Sequence, residues 1–138
     1  MTALSDLYLH SSGRIGRAAF VAGVLPLIAV WAAFDLLAPG FVQRWTGWLV
    51  GAALFYLGAC VLSQRLHDRG RSGWWSGLIL IAFAICWPQG SSWPEAPLDW
   101  LWAALLLAVV VDLAILPGQK TFNRYGAPVE GQTGASAD

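Results

Sequence analysis

The residues best equipped for chemistry stand together in one short stretch, Gln64-Arg-Leu-His-Asp-Arg-Gly-Arg-Ser-Gly-Trp-Trp75. Three guanidiniums (Arg65, Arg69, Arg71), an imidazole (His67), a carboxylate (Asp68) and a hydroxyl (Ser72) are close neighbours there. Planar arginine forks match phosphate oxygens bidentately. Ser72 is placed to cap a following helix, whose first N–H groups attract anions. Such a set could grip a lipid phosphate or a soluble anion. The plainer reading is that the arginines fix membrane orientation while Asp68 neutralises one of them, and the residues by themselves favour it.

The adjacent His67-Asp68 pair invites comparison with metal-dependent phosphohydrolases, whose chemistry needs further His and Asp ligands. The other histidine is His10, in the N-terminal segment, so a metal cage is poorly supplied. His67 could also titrate as a pH sensor, but a hydrogen-bonded structural histidine explains it as well. Cys60 and Cys86 fall at different depths of their helices, too far apart for the roughly 7 Å that a disulfide allows between Cα atoms. Both are expected as free thiols. No P-loop, dinucleotide fingerprint, nucleophile elbow or paired-cysteine metal motif is present. No catalytic residue, metal or cofactor is assigned.

The elements that must position these groups follow from charge. Apolar residues make up 57% of the 138 residues and charged ones only 12%, about half the usual charged share of a soluble protein. Eight basic and eight acidic side chains cancel, so no net field argues for nucleic acid. Four stretches are nearly free of charge: Ala18 to Phe34 with Asp35 beyond, Trp45 to Gln64, Ser72 to Pro94, and Trp100 to Val111 with Asp112 beyond. About 20 helical residues cross a hydrocarbon core of about 30 Å. Core helices of a soluble bundle would still need a polar stripe, and Leu78 to Cys86 offers none. The first stretch is too long for a cleaved signal peptide and contains Pro26 and Trp31. The expected fold is all-α: a polytopic membrane protein with four transmembrane helices in an antiparallel bundle. The spans are expected at about 18–38, 45–64, 73–93 and 98–116, forming one domain over 1–128 with a disordered tail at 129–138.

Orientation follows from the basic residues. Both termini in the cytoplasm would place seven of the eight inside: Arg14, Arg17, Arg65, Arg69, Arg71, Lys120 and Arg124, with Arg44 alone between the first two spans. Trp45, Trp48, Trp93, Trp100 and Trp102 then fall at the outer boundary and Trp74 and Trp75 at the inner one, the level indole rings prefer. Pro26 should kink the first helix, and Pro88 should bend or end the third. Gly47 and Gly51 form a small-xxx-small pair, expected to serve internal packing before a dimer interface. Asp35 lies near the outer face, within reach of headgroups or Arg44. Asp112 lies near the inner face, as a partner for Arg17, Arg65 or Arg69. Carboxylates so far apart make no midplane proton relay.

Three motifs together resemble one family. Gly13-Arg-Ile-Gly-Arg17, Arg65-Leu-His-Asp68 followed by Ser72-Gly-Trp-Trp75, and Asn123-Arg-Tyr-Gly126 are similar to those of the domain of unknown function 805 family, over roughly residues 7 to 128. The resemblance implies a bacterial inner-membrane location and a compact helical membrane domain, with no established activity. One departure is Thr121, where the family pattern usually has glycine. All three motifs fall at the expected cytoplasmic face. Arg14, Arg17, the Arg65–Trp75 turn, Asn123 and Arg124 are therefore expected to converge on one polar patch, with Asp68 and Asp112 neutralising arginines and Asn123 tying the tail back. The expected function is that of a non-enzymatic membrane protein whose patch binds anionic lipid headgroups or a protein partner, as a homo- or hetero-oligomer or alone. The alternatives are a small transporter or channel subunit, or a lipid-phosphate enzyme with His67 as base and Arg65 and Arg69 as phosphate clamps.

Overall fold

The structure, a computed structural model, describes residues 4–86 and 97–129. Among the described residues there are five helices: α1 (Leu4–Leu9), α2 (Arg17–Leu37), α3 (Gly40–Asp68), α4 (Trp74–Cys86) and α5 (Pro97–Ile115). Among the described residues there is no strand, only an isolated bridge between Asn123 and Gly126. The short α1 was not expected from sequence; it lies against α3. The other four close a ring in which α3 packs on α2 and α4, and α5 packs on α4 and α2.

Antiparallel packing can be read from contacts. A Cβ on Gly23 of α2 would lie 3.2 Å from Val61 of α3, and one on Gly47 of α3 would lie 3.9 Å from Phe34 of α2. Low numbers on α2 thus face high numbers on α3. The turn between them is only Ala38-Pro39. It is held by the Ala38 N–H donating to the Phe34 carbonyl at 3.1 Å and by the Gln43 side-chain amide donating to the Asp35 carbonyl at 2.7 Å. Pro39 precedes the first helical residue, where a missing N–H is harmless.

The two ends of α3 each correct an expectation. Arg44 lies within α3, not in a connection, and α3 continues through Gln64, Arg65, Leu66, His67 and Asp68. Only Arg69 to Gly73 forms the turn to α4. The turn begins with a Schellman closure: the Arg71 N–H donates to the Leu66 carbonyl at 2.8 Å and the Gly70 N–H to the His67 carbonyl at 2.9 Å. Gly70 has φ +71°, the left-handed backbone this closure requires. The helix passes through Pro26 without interruption, whereas the Pro88 expectation and most of the tail fall outside the described residues.

Among the described residues two helices, α2 and α3, are long and apolar enough to cross a membrane. The buried apolar residues Leu7, Ile15, Phe20, Val61, Leu62, Leu66 and Leu113 form one cluster. They come from α1, the segment before α2, the start of α2, the end of α3 and the end of α5, so the core sits at one end of the bundle. Elsewhere the helices expose large apolar side chains, among them Leu25, Ile28, Val30, Leu49, Ile81, Leu105 and Leu107. Gly51 faces open space, so the Gly47–Gly51 pair is not where backbones approach closely. Gly23, pressed on Leu7 and Val61, takes that role.

Candidate functional site

At the end where the core lies, the last turn of α3 buries Arg65 and Asp68 completely, both 0% exposed. They stand three residues apart, which places them on one helix face. Arg65 donates through Nη1 to Asp68 Oδ2. The other carboxylate oxygen, Oδ1, accepts from Arg14 Nε at 3.1 Å and Nη2 at 3.0 Å. Arg14 is itself buried, and comes from the extended segment between α1 and α2. One carboxylate therefore holds two guanidiniums, each on its own oxygen.

The surplus positive charge is met by carbonyls. Arg65 donates through Nε to the Leu113 carbonyl at 2.8 Å and through Nη2 to that of Leu116 at 2.6 Å. Arg17 donates to the Ile115 carbonyl at 3.1 Å. These are the last carbonyls of α5 and the residue just beyond it, which lack intrahelical partners and carry the negative end of the helix dipole. Arg14 further donates to the carbonyls of Thr121 at 3.0 Å and Gly126 at 3.1 Å, and to that of Gln119. The main chain after α5 closes over the knot: the Gln119 N–H donates to the Asp68 carbonyl at 2.8 Å. Gly118 presses so closely on the Asp68 carboxylate that a Cβ there would overlap it.

The remaining candidates sort around this knot. Asp112 pairs with Arg69 at 3.4 Å, both partly exposed, so of the three expected partners Arg69 is the one. Asn123 donates to the His67 carbonyl at 3.0 Å and accepts the Tyr125 N–H at 2.9 Å, tying the segment after α5 to the end of α3. Arg71 and Arg124 are exposed. Ser72 is displaced from its expected role: α4 begins at Trp74, Gly73 holds the cap place, and the Ser72 carbonyl accepts the Trp75 N–H at 3.3 Å. Arg65, fully buried and bonded to carbonyls and Asp68, has no face for a substrate phosphate, which removes the clamp expected of it. Among the described residues no three His, Cys, Asp or Glu side chains gather as metal ligands. Cys60 is a buried free thiol.

Beside the knot, a cleft of about 490 Å³ opens between α3, α4 and the segment after α5. His67 lines it from the last turn of α3, beyond the charge-free run of that helix. Its ring stacks on Tyr125, with centroids 3.8 Å apart and planes at 11°. The Arg124 guanidinium lies 4.7 Å from the centroid of the same Tyr125 ring. Among the described residues no carboxylate pairs with His67, so burial favours its neutral form, partly opposed by the Gly13 carbonyl and reinforced by Arg124. Gln119 and Gly118 were not marked by sequence reading, and Tyr125 was marked only as part of the Asn123–Gly126 motif. The positive φ of Gly126 and the Asx turn at Asn123 are what fold their segment back.

Fold and site together define a class: a ring of apolar helices closed at one end by a buried arginine–aspartate knot. The chain belongs to the family described as protein of unknown function (DUF805), whose model matches residues 8–127. It is similar to the uncharacterized protein YiiR of Escherichia coli strain K12, 31% identical over 128 residues that cover 83% of this chain and 82% of the relative. The YiiR of Escherichia coli O157:H7 matches to the same extent. No solved structure matches.

Asp68→Asn leaves two buried guanidiniums without a counter-charge and should lower stability by about 3–5 kcal/mol. Arg69→Ala, which removes a partly exposed pair, should change it by about 1 kcal/mol or less. Denaturant unfolding of the detergent-purified proteins compares the two.

Proposed function

We propose that this chain is a four-span protein of the bacterial inner membrane with both termini in the cytoplasm. Its cytoplasmic end holds an anionic lipid headgroup and performs no catalysis. The length of α3 supports the span. Arg44 and Arg65 are 21 residues apart in one helix, a rise of about 31 Å, against a hydrocarbon core of about 30 Å. The apolar side chains exposed around α2, α4 and α5 support it too, because a surface of Leu, Ile and Val this extensive needs a cover. Exposed Trp45 and Trp48 near one end of the bundle and exposed Trp74 and Trp75 near the other suit two headgroup levels. The asymmetry of the basic residues supports cytoplasmic termini.

One observation carries the lipid reading, and it is the division of labour among the arginines. Arg14 and Arg65 close the knot on carbonyls and Asp68 through all three guanidinium nitrogens, so their donors are already engaged, while exposed Arg17 gives one bond to the Ile115 carbonyl. Arg71 and Arg124, with Lys120 nearby in sequence, stand exposed at the same end. A free guanidinium at headgroup depth meets phosphate. Burial of Arg65 weighs against the enzyme alternative, which required it as a clamp.

A fluorescent reporter that matures only in the cytoplasm, fused to the C-terminus, should be bright. A dark reporter in full-length, inserted protein would overturn the topology. In lipid-retaining native mass spectrometry, anionic lipid adducts on the wild type should fall by about tenfold in Arg71→Ala/Arg124→Ala, with folding intact. Equal adducts on wild type and variant would reject the headgroup site.

A further inference from the structure

The cleft beside the knot has an unbalanced set of hydrogen-bonding groups, and the imbalance identifies a ligand chemistry. His67 Nδ1 lies 3.2 Å from the Gly13 carbonyl. A carbonyl only accepts, so Nδ1 carries the proton and Nε2 of the neutral ring is left as an acceptor. Ser63 Oγ lies 3.5 Å from Nε2. Ser63 has one hydroxyl hydrogen, and it goes to the Ser11 carbonyl at 3.1 Å. Among the described residues the Nε2 lone pair thus lacks a donor, while His67 is only 9% exposed and its ring lines the cleft.

Two further hydroxyls of the wall repeat the pattern. Ser76 Oγ donates to the Gly73 carbonyl at 2.6 Å, and the Tyr56 hydroxyl donates to the Leu9 carbonyl at 3.3 Å. Each keeps only acceptor lone pairs for anything in the cleft. The wall therefore offers acceptors from buried His67, Ser63 and Ser76 and exposed Tyr56, beside the hydroxyls of Ser11, Ser72 and Tyr125, which can donate or accept. A buried acceptor left without a donor, as at His67 Nε2, costs roughly 1–3 kcal/mol. No carboxylate lines the described wall, so a cationic amine would enter without a counter-charge. Neutral hydroxyl donors fit. At the rim, exposed Arg124 packs on Tyr125 and exposed Arg71 precedes Ser72, both Tyr125 and Ser72 being wall residues.

We infer that the cleft binds a polyol phosphate, its hydroxyl groups donating to His67 Nε2 and the neighbouring oxygens and its phosphate meeting Arg71 and Arg124 at the rim. The inference rests on the headgroup site proposed above and names the headgroup chemistry. A phospholipid with a glycerol headgroup and a soluble glycerol phosphate share this chemistry.

The test is competitive lipid binding by the full chain in nanodiscs that mix phosphatidylglycerol, phosphatidic acid and phosphatidylethanolamine in equal amounts, read by native mass spectrometry. Phosphatidylglycerol should be retained about five- to tenfold over phosphatidic acid, which has the phosphate without the headgroup hydroxyls. His67→Leu should abolish that preference, and His67→Gln, which restores an acceptor, should recover part of it. Gly77→Leu is the second variant. Gly77 lines the cleft and a Cβ there meets nothing within 4 Å, so leucine fills the space without a clash and should also erase the preference.

Equal retention of phosphatidylglycerol and phosphatidic acid would overturn the polyol inference and leave the headgroup site standing. Preference for phosphatidylethanolamine would overturn both, and so would loss of all anionic preference. Displacement of retained phosphatidylglycerol by added glycerol phosphate would support the chemistry and assign the soluble source.

Discussion

A carboxylate with no exposure to solvent organises the closed end of this bundle. Asp68 would be costly to bury alone, by several kcal/mol after relaxation. It is tolerated because Arg65 from its own helix and Arg14 from the segment before α2 each take one of its oxygens. Two cations on one anion would themselves be unbalanced. The carbonyls at the end of α5 complete the arrangement, because they present partial negative charge and have no partners within the helix.

This constraint links parts of the chain that sequence distance separates. Arg14 reaches across to Thr121 and Gly126, more than 100 residues on. Gln119 donates back to the Asp68 carbonyl, and Asn123 ties to that of His67. The segments before α2 and after α5 are thus held by the same few groups on the last turn of α3. The cleft is a consequence. Its wall includes Ser11 from the first segment and Tyr125 from the second, so it exists only while both are docked. Engagement of Arg14 and Arg65 inside the knot also leaves Arg17, Arg71 and Arg124 as the exposed arginines of this end.

Much of the helical order was legible because charge is absent where the helices run. The starts of α2 and α5 and the end of α2 fall within a residue of the expected spans. The convergence of Arg14, Asp68, Asp112 and Asn123 was legible from topology, since alternating helix directions put these segments at one face. The boundary of α3 was misread for a physical reason. Polar residues from Gln64 to Asp68 look like a loop when water is the expected neighbour, but here Gln64, Arg65 and His67 meet the chain's own carbonyls and Asp68 meets two guanidiniums, so the helix continues. Arg44 was misplaced likewise, because a two-residue turn at Ala38-Pro39 left no loop to hold it. The orphan acceptor on His67 was not legible at all. It depends on which carbonyl each nitrogen and hydroxyl meets, and Gly13, Ser11 and Gly73 carry no sequence mark of that.

The most direct measurement of the central claim is hydrogen exchange on the intact protein, wild type against Asp68→Asn, under conditions where α3 stays protected. If the Asp68 carboxylate holds both segments, residues 10–16 and 117–126 should lose protection together and to a similar extent. Loss in one segment while the other keeps its protection would contradict a single knot, and unchanged protection in both would remove Asp68 from the centre of the structure.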